Sequence, residues 1–173
     1  MSELDEAWAL ALAEAEARAR GAGRADLVEY LALRNSNDLL RKTGIDWLIQ
    51  TFTVIAGQAN RTGSTIQIAS VDGHRFRVGN ATMVGTLLTL KSGVRTLMIE
   101  AGWPRTPRDG FVRGGGLACA SLRHVGIAPA SRQLLLVKSD TGTPQWKIVD
   151  KSKAHLDEAG VRQHLDILVD RQD

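Results

Sequence analysis

Residues 65–100, TIQIASVDGHRFRVGNATMVGTLLTLKSGVRTLMIE, decide the fold. Asp72-Gly73 lies between TIQIASV and HRFRV, and Ser92-Gly93 lies between MVGTLLTLK and VRTLMIE. All four runs are rich in β-branched and other apolar residues. A glycine that tolerates positive φ is what a tight β-hairpin requires, so each dipeptide predicts a hairpin. Thr141-Gly142 joins QLLLVKS to PQWKIV in the same way. Six strands in three hairpins make an antiparallel sheet, and its apolar face needs helices to cover it.

Helical spacing supplies them. From Ser2 to Arg20, the residues Leu4, Trp8, Ala11, Leu12, Ala15 and Ala19 fall on one face, with Ser2 and Asp5 resembling a capping box and Gly21 and Gly23 as terminators. This alanine-rich stripe is thin and leaves Trp8 exposed, so residues 1–22 read as an N-terminal helix serving as an interaction arm, and 23–173 as a single α+β domain. A second helix runs from about Arg24 to Arg41 on Leu27, Val28, Leu31, Leu39 and Leu40, interrupted by NSND at 35–38 and stopped by Gly44. Residues 45–60 pit β-rich composition against helical period. Ile45, Leu48, Ile49, Phe52, Ile55, Ala56 and Ala59 share one face, and period outweighs propensity over this length. A helix with that face buried is expected.

Two more helices follow from spacing. One spans about Gly115 to Val125 on Leu117, Ala118, Ser121, Leu122 and Val125, closed by Gly126 and Pro129. The last spans about Ser152 to Arg171 on Leu156, Val161, Leu165, Leu168 and Val169. The expected fold is α+β: an antiparallel sheet of about six strands in three hairpins, packed against N-terminal helices, one central helix and a C-terminal helix. The element order is three helices, four strands, one helix, two strands, one helix.

Composition agrees with one globular domain: 173 residues, 43% hydrophobic and 24% charged. No apolar run is long enough to span a membrane, and the acidic start MSELDEAW lacks a secretory pattern. Cys119 is the sole cysteine, which excludes an internal disulfide. A cytoplasmic protein is expected, with no membrane partner.

Charge is unevenly spread. The net +3 resolves into −3 over residues 1–60, +8 over 61–149 and −2 over 150–173. A basic centre between acidic ends either attracts a polyanion or docks the protein's own acidic helices. The densest part is 103–116, WPRTPRDGFVRGGG. There Arg105, Arg108 and Arg113 can reach phosphate oxygens, and Gly114, Gly115 and Gly116 offer backbone N–H groups ahead of the expected central helix. The spacing matches neither a Walker loop nor a dinucleotide fingerprint. Arg75 and Arg77 alternate with Phe76 and Val78 and therefore share a strand face. Arg95 flanks a turn beside Lys91, and Arg123 lies in the expected central helix. With Trp103, and Trp146 as a second stacking surface, these cations outline a basic face suited to a phosphate backbone.

Chemistry beyond binding has little support in the residues. No histidine pair has the spacing of a helical metal site, and Asp72, His74 and Glu100 form only a loose acid–base candidate. Cys119 reads as a small buried filler. No catalytic residue, metal ligand set or cofactor is assigned. The functional expectation is a nonenzymatic module that binds nucleic acid or another polyanion through Arg75, Arg77, Arg95, Arg105, Arg108, Arg113, Arg123, Trp103 and Gly114–Gly116. The alternatives are a homo-oligomeric assembly protein that self-associates through the N-terminal helix, and a small phosphate-directed hydrolase.

Overall fold

The computed structural model describes residues 3–21 and 25–170. The chain opens with a helical hairpin, α1 (Glu3–Gly21) and α2 (Ala25–Arg61). Six strands follow: β1 (Gln67–Val78), β2 (Ala81–Ser92), β3 (Arg95–Trp103), β4 (Ala118–His124), β5 (Arg132–Lys138) and β6 (Pro144–Ile148). Helix α3 (Glu158–Val169) closes the fold. The strands form one antiparallel sheet in sequence order, a simple meander. The α+β class and the count of six strands agree with the sequence reading; the membership of the strands does not.

Helix α2 is the spine. Its 37 residues run unbroken through both expected interruptions, NSND and Gly44. The periodic face of residues 45–60 is buried as expected: Ile45, Leu48, Phe52, Ile55 and Ala56 pack against Leu88, Leu97, Ile99, Leu122 and Leu136 of the sheet. Gly44 is a contact point rather than a stop. A Cβ there would lie 2.6 Å from Leu136 Cδ1, and its carbonyl accepts a 2.8 Å hydrogen bond from Trp146 Nε1. Helix α3 buries Val161, Leu165 and Leu168 against the same core, capped at its N-terminus by Asp157, whose Oδ1 accepts from Gly160 N at 2.8 Å. It starts six residues later than expected, because residues 154–156 first run along the outer edge of β6.

The N-terminal helix packs along the first half of α2 through Leu12 and Leu31, with Trp8, Ala15, Leu27 and Val28 around them. Trp8 is half-buried rather than exposed. The Ser2 cap, Gly23 and Arg171, the expected end of the last helix, lie outside the described residues; α3 itself ends at Val169.

Two elements overturn expectation. Asp72-Gly73 is not a hairpin turn. Strand β1 runs straight through it, and the pairing shifts by one residue between Asp72 and His74, with Gly73 at φ +69°. This is a β-bulge with glycine in the left-handed position. The real turn is Gly79-Asn80, which joins the paired Val78 and Ala81 with only Gly79 at positive φ. The expected central helix, residues 115–125, is strand β4. Ala118, Ala120, Leu122 and His124 are all buried, the period-2 signature of a strand. The Gly93 and Gly142 turns stand as expected, between β2 and β3 and between β5 and β6.

Gly73 offers a clean measure of backbone strain. No atom lies within 4 Å of where its Cβ would sit. Gly73→Ala is therefore expected to lower stability by about 1–2 kcal/mol through the left-handed backbone alone. Urea unfolding with an unchanged m-value checks it; wild-type stability would rule out a bulge at that position.

Candidate functional site

The sheet has two faces with different surroundings. Helices α2 and α3 cover one; on the other, Phe76, Met83 and Cys119 are buried with Val112 of the loop after β3 against them, and no described helix covers that face. At the β1 side, α2 diverges from the sheet and leaves a groove. Its centre is the end of β3, where Trp103 is buried and the Arg105 guanidinium lies 3.5 Å from the centre of its ring. This is a cation–π stack, and Arg105 also donates to the Val84 carbonyl at 3.2 Å.

The turn Pro107–Asp109 fixes this corner. Asp109 Oδ2 accepts from Arg105 N at 3.1 Å, Thr106 N at 3.0 Å and Thr106 Oγ1 at 3.2 Å, while Oδ1 accepts from Arg75 Nη2 at 3.0 Å. Burial alone would push the Asp109 carboxyl up. The Thr106 and Arg105 amides, the Thr106 hydroxyl and the Arg75 charge together outweigh it and hold the pKa below its ordinary value of 3.8.

Helix α2 supplies the facing wall. Buried Asp38 accepts from Trp8 Nε1 at 2.9 Å and Arg41 Nη1 at 2.6 Å, and Arg41 Nε donates to the Leu117 carbonyl at 2.8 Å. The Arg34 guanidinium sits 4.7 Å from the centre of the Trp8 ring. Two clefts of about 250 Å³ each adjoin here and share Trp103 and Arg105. The inner cleft lies between α2 and the sheet, with Lys42 and Arg105 balanced by Asp46 and Asp72. The outer cleft lies under the helical hairpin and is lined by Trp8, Tyr30, Arg34, Arg41 and Arg105, against, among the described residues, a single acid, Asp38. The outer end is therefore the cationic end, and Tyr30 stands exposed at its lip.

The expected arginines separate into several places. Arg75, Arg105 and Arg108 gather around Asp109, with Arg108 exposed on the turn. Arg77 and Arg113 meet the Gly79-Asn80 turn: Arg77 donates to the Asn80 carbonyl at 3.5 Å, and the Arg113 guanidinium lies 3.7 Å from where a Gly79 Cβ would be. Arg95 is at the opposite end of β3. It donates to the Ile167 carbonyl of α3 and comes within 3.9 Å of Asp170, so this arginine does serve the protein's own acidic end. Arg123 is on the uncovered sheet face against Met98 Sδ at 2.9 Å.

Trp103 and Trp146 are both core residues, and Arg105 already occupies one face of Trp103. Gly114 and Gly115 adopt positive φ in a short turn, and Gly116 presses against Leu135. With β4 behind them instead of a helix, no helix dipole reinforces these glycines.

The Asp72–His74–Glu100 cluster is split by the bulge. Asp72 faces the helix side and accepts from Thr86 Oγ1 at 3.2 Å, whereas His74 Nε2 meets Glu100 Oε1 at 2.7 Å on the uncovered face. His74 also stacks on Phe76, with ring centres 5.9 Å apart. Cys119 is buried, and burial pushes its thiol up to about 11, which suits the filler role. Among the described residues no group of three or more His, Cys, Asp or Glu side chains is arranged to hold a metal, and no helix is long and apolar enough to cross a membrane.

Sequence reasoning missed the α2 contribution. Tyr30, Arg34, Asn37, Asp38 and Arg41 recur at helical spacing, and that polar stripe is the signal that could have found it. No protein-family model, curated protein or solved structure matches this chain.

Proposed function

We propose that this protein is a nonenzymatic binding module for a polyanion, single-stranded nucleic acid foremost, and that the outer cleft is its site. One observation supports this reading above others: three arginines, Arg34, Arg41 and Arg105, converge with Trp8 and Tyr30 on a cleft where, among the described residues, one carboxylate lies, itself engaged by Arg41 and Trp8. Arginine forks suit phosphate oxygens, and an exposed aromatic at the lip suits an unstacked base. Arg75 and Arg108 extend the cationic surface past the rim. Arg123 and Arg95 take no part, the first being on the other sheet face and the second at α3.

Fluorescence anisotropy of a labelled oligothymidylate against the full chain tests this. Binding through about three phosphate contacts is expected to give a log–log salt slope of about −2 for a single strand. Tyr30→Ala combined with Arg34→Glu is expected to weaken it at least about tenfold, whereas Arg123→Glu leaves it within about twofold. Absence of binding at low salt, or equal loss from Arg123→Glu, would overturn the assignment.

A further inference from the structure

The two edges of the sheet are treated differently. Along the outer edge of β6, the chain itself returns: Leu156 N donates to the Trp146 carbonyl, Ile148 N donates to the Ala154 carbonyl, and Lys147 bridges His155. Along β1, at the other edge, no described segment pairs. Its first six residues, Gln67 to Asp72, are all exposed, with Ile68 on the helix side and Val71 on the uncovered side.

Edges left in water are normally blunted by charge, proline or a bulge. Gln67–Val71 carries no charged residue and no proline, and the bulge comes only afterwards, at Gly73. The segment is thus a short, neutral, straight template for strand addition, closed at one end by the bulge and its following Arg75.

We propose that β1 pairs antiparallel with β1 of a second copy of this chain, giving a twofold dimer with a continuous twelve-stranded sheet. The occupant follows from the asymmetry of the edges. Among the described residues only β1 offers an open edge, so pairing β1 with β6 of a neighbour into a filament is blocked, and like-with-like pairing closes at two. An antiparallel match centred on Ser70 places Ala69 opposite Val71 on the uncovered face and Ile68 opposite Asp72 on the helix face. It sets no like charges opposite each other and keeps the two Arg75 residues ten positions apart, roughly 33 Å along the strands. The twofold leaves the helices of both copies on one side of the joined sheet. Ser70 and Asp72 of each inner cleft then lie beside the partner's, so the two grooves adjoin across the axis.

Sedimentation velocity of the full chain over a wide concentration range is the test. A species of twice 18.8 kDa is expected, reverting to monomer or weakening at least about tenfold in Ile68→Lys/Val71→Lys, whose positions are exposed and leave the fold intact by circular dichroism. Single cysteines at 69, 70 and 71 fix the register. The residue on the axis sits about 4.5–5.5 Å from its own copy, within disulfide reach, and is expected to give a covalent dimer on mild oxidation while buried Cys119 does not. A monomer at every concentration, a dimer indifferent to the lysine pair, or a larger assembly would each overturn the proposal.

Discussion

Replacing Gly85 by alanine is expected to cost about 4 kcal/mol or more, lowering the melting temperature by roughly 10 °C or leaving too little folded protein to purify. Gly85 on β2 pairs with Gly102 on β3 in unbroken register, and the Cβ position of each glycine points into the backbone of the other strand. A Cβ on Gly85 would stand 1.9 Å from the Ala101 carbonyl oxygen and 2.7 Å from Gly102 Cα; one on Gly102 would stand 2.6 Å from the Val84 carbonyl. These obstacles are backbone atoms of the central strands, flanked by Trp103 and buried Ala101, so no side-chain rotation relieves them. Relief means moving β3 by more than an ångström, which breaks local ladder hydrogen bonds worth about 1 kcal/mol each and opens the core beneath α2. Gly57→Ala is the counterpart. Gly57 is helical, with nothing within 4 Å of its Cβ position, so alanine there is expected to add about 0.5–1 kcal/mol. Paired urea titrations separate the two; a Gly85→Ala protein as stable as wild type would show that the two strands leave room for a side chain at this pair.

Strand pairing explains part of what the sequence conceals. Glycine-bearing dipeptides mark left-handed backbone reliably: Gly73, Gly79, Gly93 and Gly142 all have positive φ. They do not say whether the chain reverses or bulges, because that depends on the partner strand. Twelve-residue β2 needs a partner of equal length, which HRFRV alone could not provide, so β1 continues past Gly73 and turns at Gly79. The β4 segment failed for a different reason. Its apolar residues fit both periods, and alanine and leucine favour helix locally. The nine residues between Gly116 and Gly126 are nevertheless too few for a stable helix, and enough for seven-residue β4. By contrast, residues 45–60 carry a helical stripe long enough to override their β-rich composition, and α2 follows it.

The candidate site was legible only in fragments. Arg75 and Arg105 do meet at Asp109, which accepts from the amides of its own turn and from the guanidinium of Arg75 on β1 at once. Nothing local in the sequence places α2 opposite them. That depends on Gly44 letting the helix settle on Leu136, and on Asp38 tying Trp8 and Arg41 together across the hairpin. Charge counting by segment was blind to such pairings, which is why Arg95 and Arg123 were grouped with residues they do not meet.

Acidification is expected to destabilise the protein steeply between about pH 6.5 and pH 4, by about 3 kcal/mol from one residue alone. At the end of β4, His124 Nε2 and His164 Nδ1 of α3 lie 2.9 Å apart, their rings stacked with centres 5.2 Å apart, and both are buried. One neutral ring donates and the other accepts; a first proton places a charge in this buried site, and a second removes the acceptor and sets two like charges in contact. Burial pushes the His164 pKa down to about 4, with His124 and Arg132 adding to it. Burial and then Arg132 and Arg95 push His124 down as well. Phe52 borders His164, and Asp170 lies 3.9 Å from Arg95. Both folded pKa values lie below 6.5, so in this interval the unfolded chain binds more protons than the folded one. Stability is complete above pH 6.5 and falls as pH drops through the folded values. Urea midpoints measured from pH 7.5 to 4 check the slope. His164→Leu, of similar bulk in an apolar setting, is expected to flatten it whatever its effect at neutral pH, since it removes the proton acceptor and the mutual repulsion together. An unchanged slope in that variant would assign the acid sensitivity to other groups, and α3 would then be anchored by Val161, Leu165 and Leu168 without any contribution from the histidine pair.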